Sequence, residues 1–182
     1  MDEIKKVVLP TADKKSKETG KRKVVNTKQW ENNIASINTT NQIDLLKQVI
    51  NKNNDNNNNS LSILIEKGIQ TKIYGYKNQD VKKKVYNEEL FVDYDYVLNL
   101  IDTSSLECYY CKSICNLLYE NIKDPNQWTL DRLDNKHGHN KENVVISCLS
   151  CNLKRKTMHH GRFQFTKQLT IIKNETDESD LK

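Results

Sequence analysis

Apolar residues recur with the period of an α-helix in two stretches of the chain. In "NQIDLLKQVI", Ile43, Leu46 and Ile50 fall near the i, i+3, i+7 spacing of one helical face. The segment "VDYDYVLNLI" repeats the pattern, and Asp93 stands where an acidic residue favours the start of a helix. Each stretch predicts a short amphipathic helix, and the first is expected to dock on the domain or on a partner.

Other stretches are ambiguous or lack an apolar pattern. "SLSILIEKGI" and "KIYGYKNQDVKKKVYNEEL" do not distinguish a helix from a strand. "KKSKETGKRK" (14–23) has six basic residues in ten, and "NKNNDNNNNS" (51–60) has seven asparagines in ten. Neither segment can bury apolar surface, so we expect both to be disordered.

Composition predicts a small core and four segments. Apolar residues make up 36% of the 182 residues, which is low for a fully globular chain of this length. We expect a disordered region with a basic arm, short helix and asparagine-rich linker at 1–60, and a helical or mixed lead-in at 61–104. The motif-bearing domain follows at 105–163 and a tail at 164–182. The fold class is small α+β with flanking helices.

Positive charge is concentrated in the arm and in the motif-bearing segment. Residues 108–163 carry nine basic and five acidic residues, a net +4 within the +5 of the whole chain. A basic domain suits a polyanionic partner, although an ordinary solvated surface also accounts for this charge. The arm is open to three interpretations: a nuclear address, a phosphate-binding tail or a solubilising tail.

We expect neither a membrane-spanning segment nor a secretory signal in this sequence. No apolar run approaches the roughly 20 residues that a membrane-spanning helix needs, and "MDEIKKVVLPTADKK" is not apolar enough for a secretory signal. We therefore expect an intracellular protein, in the cytoplasm, the nucleus or a virion, without a membrane partner. In a reducing compartment, the five cysteines indicate metal ligands rather than disulfides.

Four cysteines form two C-x-x-C pairs, "CYYC" and "CLSC". A two-residue spacer lets both thiolates of a pair face one ion, and two pairs complete the closed tetrahedral set of a structural zinc site. The 36 residues between the pairs are expected to form a folded insert. The predicted ligands are Cys108, Cys111, Cys148 and Cys151. The remaining Cys115 is interpreted as a core thiol, with substitution as a ligand as the alternative.

The second pair runs directly into "NLKRKTMHHGR", where Gly161 is a plausible helix stop. Cations in the first turns of a helix gain nothing from its dipole, so a basic cluster there is easier to understand if it faces phosphate. A solvated helix face is the alternative. The predicted nucleic-acid contacts are Lys154, Arg155, Lys156 and Arg162.

The order of the motifs C-x-x-C, L-D-R, G-H, N-V-V and C-x-x-C-N resembles the HNH, or ββα-metal, endonuclease family on a treble-clef zinc scaffold. The resemblance covers residues 105–160, and within the family the chain is similar to junction resolvases of the endonuclease VII type and to HNH proteins of phages and large DNA viruses. It implies strands at 128–133 and 143–147 and a helix that begins at Cys151. It also implies a metal-dependent hydrolase of DNA phosphodiester bonds.

The same resemblance assigns roles to individual residues. Asp131 corresponds to the family's acidic metal ligand, and Asn152 corresponds to the helix residue that completes the metal site. Such hard oxygen ligands suit Mg²⁺ or Mn²⁺, which would stabilise the charge that develops at the scissile phosphate. Asn143 corresponds to the central Asn that braces the loop between the strands.

The sequence departs from the family at the catalytic base. The family has His directly after the metal-binding Asp, whereas this chain has Arg132, which cannot accept a proton. In one interpretation His139, or less favourably His137, reaches the attacking water or no side-chain base is needed, and Arg132 clamps phosphate. In the other, catalysis is lost and the module only binds. In an alternative alignment to the family, Asp134 would be the metal ligand, but the residue after it is Asn135 and not the expected His.

Three functions follow, in order of preference. The first is an HNH-type endonuclease that acts on DNA with a structural zinc ion and a catalytic magnesium or manganese ion. The second is a zinc-stabilised nucleic-acid-binding module that does not cleave. The third is a structural or packaging protein. A junction resolvase needs two active sites and hence a homodimer, for which the sequence identifies no interface.

Overall fold

Five helices and one two-stranded sheet make up the described part of the chain. The structure is a computed structural model that describes residues 39–51 and 60–169. In chain order the elements are α1 (Thr39–Asn51), α2 (Ser60–Lys83), α3 (Tyr94–Thr103), β1 (Trp128–Arg132), β2 (Val144–Cys148), α4 (Leu149–Arg155) and α5 (His160–Gln168). The predicted basic arm at 14–23, the asparagine-rich tract between α1 and α2, and the tail beyond residue 169 lie outside the described residues.

The first predicted helix is confirmed as α1, and it docks on the domain. Its apolar face buries Leu45 and Leu46. The buried amide of Gln42 fixes its position, because Oε1 accepts hydrogen bonds from the amides of Leu117 and Leu118 at 2.6 and 3.1 Å. A buried polar group satisfied in this way costs little and ties the helix to one register on the loop.

The ambiguous segment after residue 60 is mostly one helix of 24 residues, α2. It ends where Lys84 adopts a left-handed backbone, with φ of 58°, and where the amide of Val85 donates to the carbonyl of Asp80. This hydrogen bond satisfies a carbonyl that the helix end would otherwise leave free. Lys82 and Lys83 lie in the last turn, where the helix dipole favours cations.

The second predicted helix is confirmed as α3. Asp93 is its N-cap, and Oδ1 accepts a hydrogen bond of 2.8 Å from the amide of Tyr96. Val97 and Ile101 are buried on the face that the spacing predicts. Asp93 also pairs with Lys141 of the loop between the strands, at 2.6 Å from Oδ2 to Nζ.

The two predicted strands are confirmed with bounds shifted by at most one residue. They pair antiparallel, with Trp128 opposite Cys148. The expectation that the next helix begins at Cys151 is corrected: α4 begins at Leu149, because β2 runs directly into it. Cys148 is the N-cap, and its sulfur accepts a hydrogen bond of 3.4 Å from the amide of Cys151.

Side chains of α2 and α4 cover the open edge of β1. The amide of Leu130 donates to Tyr76 Oη at 3.0 Å, and its carbonyl accepts from Asn152 Nδ2 at 3.3 Å. The carbonyl of Trp128 accepts from Lys72 Nζ. These contacts satisfy backbone groups that a two-stranded sheet would otherwise leave unpaired, and all five residues of β1 are buried.

One hydrophobic core joins these elements. It takes buried residues from α1, α2 and α3, from both strands, from the cysteine pairs and from Phe163 of α5. The predicted lead-in at 61–104 and the predicted domain at 105–163 therefore share a single core. Among the described helices, none is both long enough and apolar enough to cross a membrane.

Candidate functional site

The four cysteines of the two C-x-x-C pairs converge on one point. The sulfur atoms of Cys108, Cys111, Cys148 and Cys151 all lie within 4.8 Å of one another, close enough to hold one metal ion. Three of the four residues are buried, so water has little access. The folded insert predicted between the pairs is largely the β1–β2 hairpin with its loop.

Local backbone geometry brings each pair together. In the first pair, the amide of Cys108 donates to the carbonyl of Ser113, and Lys112 turns the chain with a left-handed φ of 61°. The amide of Tyr109 donates to the carbonyl of Ile146 at 2.8 Å, which fastens this turn to β2. In the second pair, the strand end and the first turn of α4 present both sulfurs on one side.

The thiols influence one another's ionisation. Hydrogen bonds from Cys115 and Cys148 lower the pKa of Cys108, so one thiolate is favoured. Burial raises the pKa of Cys151 to about 12, and the neighbouring Cys108 adds to this effect. A metal ion supplies the positive charge that lets all four thiols ionise, and its binding releases their protons. Cys115 is buried and lies outside the four-sulfur group, in keeping with its interpretation as a core thiol.

A second feature is a polar cavity of about 550 Å³ between α2, β1 and α4. Five residues predicted from the sequence meet there: Asp131, Arg132, His139, Asn152 and Lys156. The wall is completed by Tyr76, Gln79, Lys83, Leu130, Asn135, Leu153 and Thr157. The convergence of the predicted residues on one cavity identifies it as the candidate functional site, since binding sites are typically concave with a few polar groups.

Arg155 neutralises the carboxylate of Asp131. Its Nε lies 2.6 Å from Asp131 Oδ2 and its Nη2 lies 2.8 Å from Oδ1. Tyr110 Oη donates a further hydrogen bond of 2.7 Å to Oδ2. Burial alone would lower the pKa of the Arg155 guanidinium, but Asp131 outweighs it and raises that pKa. The carboxylate predicted to bind a divalent cation thus has an internal cation as its partner.

The expectation that Arg155 contacts phosphate is corrected by its burial. Only 2% of the residue is exposed. Besides Asp131, its guanidinium donates to the carbonyls of Arg132 and Met158 and to Asn135 Oδ1. The guanidinium donors are therefore occupied by acceptors inside the domain, and little of the group's surface remains for a ligand.

Asp80 of α2 does not line the cavity but contacts two residues of its wall, His139 and Arg132, from behind. Its Oδ1 lies 2.9 Å from His139 Nδ1, and its Oδ2 accepts a hydrogen bond of 2.6 Å from the His139 amide. The ring of His139 stacks on Tyr76 with centroids 4.4 Å apart. Burial lowers the pKa of His139, and the nearby Arg132 and Lys83 act in the same direction, although Asp80 opposes them. The lowered pKa favours the neutral form of the imidazole, and Asp80 fixes its orientation.

Arg132 faces the cavity but is also held from within. Its Nη1 donates to the carbonyl of His137 at 3.1 Å and lies 3.9 Å from Asp80 Oδ1. Its side chain is 9% exposed. Sequence reasoning missed Asp80, which lies 51 residues before Asp131, because no motif links α2 to the hairpin.

The loop between the strands has the brace that the resemblance implies. Asn143 Nδ2 donates to the carbonyls of Asp134 and Gly138, and its Oδ1 accepts from the amide of Asp134. Gly138 packs so closely on the end of α2 and the turn after it that a Cβ would lie 2.8 Å from Asp80 Oδ2 and 2.6 Å from the carbonyl oxygen of Val85. His137 lies apart from the cavity, with its side chain 65% exposed and its Nδ1 3.4 Å from Asp134.

The remaining predicted residues lie on α4, α5 and the turn between them. Asn152 Nδ2 donates to Thr129 Oγ1 at 3.1 Å and to the carbonyl of Leu130 at 3.3 Å, and the Asn152 amide oxygen accepts no hydrogen bond from a described residue. Lys156 lines the cavity and is exposed. Lys154 and Arg162 are exposed but do not line it. Of the predicted basic cluster, Lys156 alone belongs to the cavity.

No protein-family model, curated protein or solved structure matches this chain.

Proposed function

We propose that this domain binds nucleic acid, with DNA as its principal ligand, and that the polar cavity holds a phosphate of the strand. The observation that carries the proposal is the charge of the cavity wall. Lys83 and Lys156 bring two ammonium groups that form no ion pair with any described residue, while the one acidic residue in the wall, Asp131, is neutralised by Arg155. A concave wall with surplus positive charge attracts phosphate.

The scaffold in this proposal is an HNH-like ββα unit of the treble-clef type with a structural zinc ion. The sequence resemblance and the order strand, strand, helix support the scaffold. Four thiols within 4.8 Å support zinc, because four thiolates are a closed tetrahedral set for this ion. The ion would join the turn at Cys108 to the start of α4 and so hold the floor of the cavity in place.

Binding without cleavage is favoured over hydrolysis by the Asp131–Arg155 pair. A divalent ion at Asp131 would have to share or displace a guanidinium that forms two hydrogen bonds with the same carboxylate. Removing one partner from a buried ion pair leaves an uncompensated charge, which is costly. Arg132 also stands where the family has its base, and it cannot accept a proton.

Metal-dependent cleavage of DNA is the second candidate, and one observation favours it. His139 lines the same cavity as Asp131 and Asn152, and Asp80 holds its Nδ1 at 2.9 Å. A neutral imidazole oriented by a carboxylate is the usual arrangement of a general base. In this alternative Asp131 and the free amide oxygen of Asn152 would hold Mg²⁺ or Mn²⁺, which would supply charge stabilisation at the phosphate.

The test combines a binding titration with a cleavage assay. Fluorescence anisotropy of a labelled DNA duplex is measured with wild type and with the double variant Lys83→Gln, Lys156→Gln. The control double variant, Lys67→Gln with Lys123→Gln, removes two exposed lysines outside the cavity. We expect the cavity variant to lose roughly tenfold or more in affinity and to flatten the salt dependence by about two phosphate contacts, because each neutralised phosphate adds to the salt slope. Equal effects of the two double variants would contradict the proposal.

The same preparations are then incubated with supercoiled, linear and branched DNA in Mg²⁺, Mn²⁺ or EDTA. We expect binding without cleavage. Cleavage by the wild type that requires the metal ion and is abolished by Asp131→Asn would establish the second candidate instead.

A further inference from the structure

A second cavity adjoins the polar cavity and differs from it in chemistry. Its volume is about 490 Å³, and its wall is largely apolar. Four residues belong to both cavities: Tyr76, Gln79, Asn152 and Leu153. The remaining wall is formed by Lys72, Gly75, Tyr119, Ile122, Gln127, Thr129 and Leu149. We call it the apolar cavity.

The polar groups of the apolar cavity are fixed in place. Lys72 Nζ donates to Gln127 Oε1 at 3.0 Å and to the carbonyl of Trp128. The same ammonium group lies 5.0 Å from the centre of the Tyr119 ring and 4.7 Å from that of Trp128. Burial lowers the pKa of Lys72 to about 7, and the nearby Cys115 acts in the opposite direction. The cavity thus presents an aromatic ring, aliphatic side chains and a few oriented amide and amine groups.

We infer that the apolar cavity receives one nucleobase turned out of the strand whose phosphate lies in the polar cavity. The inference rests on the proposed function, because it names a subsite for the same ligand. A nucleobase is planar and apolar on its faces and carries hydrogen-bonding groups on its edge. Proteins that extrude a base hold it between aromatic or apolar side chains and contact its edge with polar groups.

The position of the two cavities supports this ligand over an unrelated small molecule. They share one wall, so a ligand with a phosphate and a base joined by one sugar can fill both. Asn152 lies on that shared wall and has an amide oxygen that accepts no hydrogen bond from a described residue. It can therefore accept a hydrogen bond from an exocyclic amine of a base.

Leu153 is an independent sign of the same interaction. It lies on the shared wall and is 63% exposed, although it is a large apolar residue on a basic helix. Apolar side chains that stand beside a DNA-binding surface can insert into the base stack. In this proposal Leu153 would fill the gap that the extruded base leaves.

The test measures the affinity for three duplexes that differ at one base pair: a matched pair, a mismatched pair, and a position at which both strands are abasic. Extrusion costs least where pairing is already lost, and only the mismatched duplex offers an unpaired base at that position. We expect the wild type to bind the mismatched duplex roughly tenfold more tightly than either of the others, since stacking on an aromatic side chain strengthens binding by about this factor.

Two variants test the cavity directly. Gly75→Trp places a large ring in the apolar cavity, and a Cβ at Gly75 meets no atom within 4 Å. Gly68→Trp is the matched control on the same helix, where a Cβ is equally free. Leu153→Ala tests the exposed leucine, with Leu90→Ala as its control, because Leu90 is 50% exposed and lies outside both cavities. We expect Gly75→Trp and Leu153→Ala to lose the preference for the mismatch and both controls to keep it.

The outcomes separate this inference from the proposed function. Equal affinity of the wild type for the mismatched and abasic duplexes, or a preference that survives in Gly75→Trp, would overturn the inference while DNA binding stands. Failure to bind any of the three duplexes would overturn the proposed function and the inference together.

Discussion

The guanidinium of Arg155 is joined to the carboxylate of Asp131 by two hydrogen bonds, of 2.6 Å from Nε to Oδ2 and 2.8 Å from Nη2 to Oδ1. Both side chains are buried. This pair lies at the meeting point of β1 and α4, where the resemblance to HNH proteins implies a divalent cation. Arg155 gives Asp131 the positive partner that a divalent cation would otherwise provide. For this reason we rank binding above cleavage.

The first prediction concerns the stability that depends on this pair. Arg155→Gln should lower the free energy of unfolding by about 3–5 kcal/mol, because it leaves the carboxylate of Asp131 buried and unpaired. Urea denaturation at neutral pH measures the change. Lys154→Gln is the control at the preceding, exposed position and should stay within about 0.5 kcal/mol of wild type. An Arg155→Gln variant as stable as Lys154→Gln would show that the pair is not a structural element.

The second prediction concerns the four-cysteine cluster. Freshly purified protein should contain one equivalent of zinc, and Cys148→Ser should lose both the ion and the fold of the hairpin, because metal binding and folding are coupled. Cys115→Ser should keep the full equivalent, since Cys115 lies outside the four-sulfur group. Elemental analysis and circular dichroism measure the two effects. Less than half an equivalent in the wild type would count against a zinc site.

The third prediction concerns the protonation of His139. Burial lowers its folded-state pKa below the ordinary 6.5, so the unfolded chain binds the proton more readily. The contribution to stability is therefore retained above about pH 6.5 and is lost as the pH falls through the folded-state pKa. An NMR titration of the histidine rings, with His139→Gln to assign the resonance, should give a midpoint below 6.5. A midpoint above 6.5 would mean that the pairing with Asp80 outweighs burial.

The fourth prediction concerns the contact between the loop and α2. Gly138→Ala should destabilise the domain by about 1–3 kcal/mol, because the new Cβ would lie 2.6 Å from the carbonyl oxygen of Val85 and 2.8 Å from Asp80 Oδ2. Gly161→Ala is the matched control, since its Cβ would meet only His159, at an ordinary 3.6 Å. Thermal denaturation compares the two. Equal melting temperatures would show that the loop can move away from α2 at little cost.

Local sequence patterns predicted much of the domain but not its tertiary pairing. The spacing of the cysteines predicts their cluster, and Asp93 predicts the start of α3, because a C-x-x-C turn and a helix cap are determined within a few residues. The burial of Arg155 could not be predicted in this way. A basic residue on a short helix looks the same in sequence whether it faces solvent or a carboxylate of the neighbouring strand.

The residues that α2 contributes to the candidate site could not be predicted either, because local patterns do not report contacts between distant segments. Asp80 and Lys83 reach the candidate site from a helix that ends some 45 residues before β1 begins. The length of α2 was also ambiguous, because glycines and β-branched residues interrupt its apolar pattern. Its helical state is supported by packing against the core and by the side chains that it places on the edge of β1.

The most direct test of the central claim is to map the DNA-binding surface by NMR. A ¹⁵N-labelled, zinc-loaded sample is titrated with a short DNA duplex, and the side-chain amides of Asn152, Asn135 and Gln79 are followed together with the backbone amides of α4. We predict that these resonances shift progressively on titration, while the amides of Asp95 and Asn99 on the exposed side of α3 do not. Shifts confined to α3, or the absence of any shift at the polar cavity at saturating DNA, would contradict the assignment of this cavity as the nucleic-acid site.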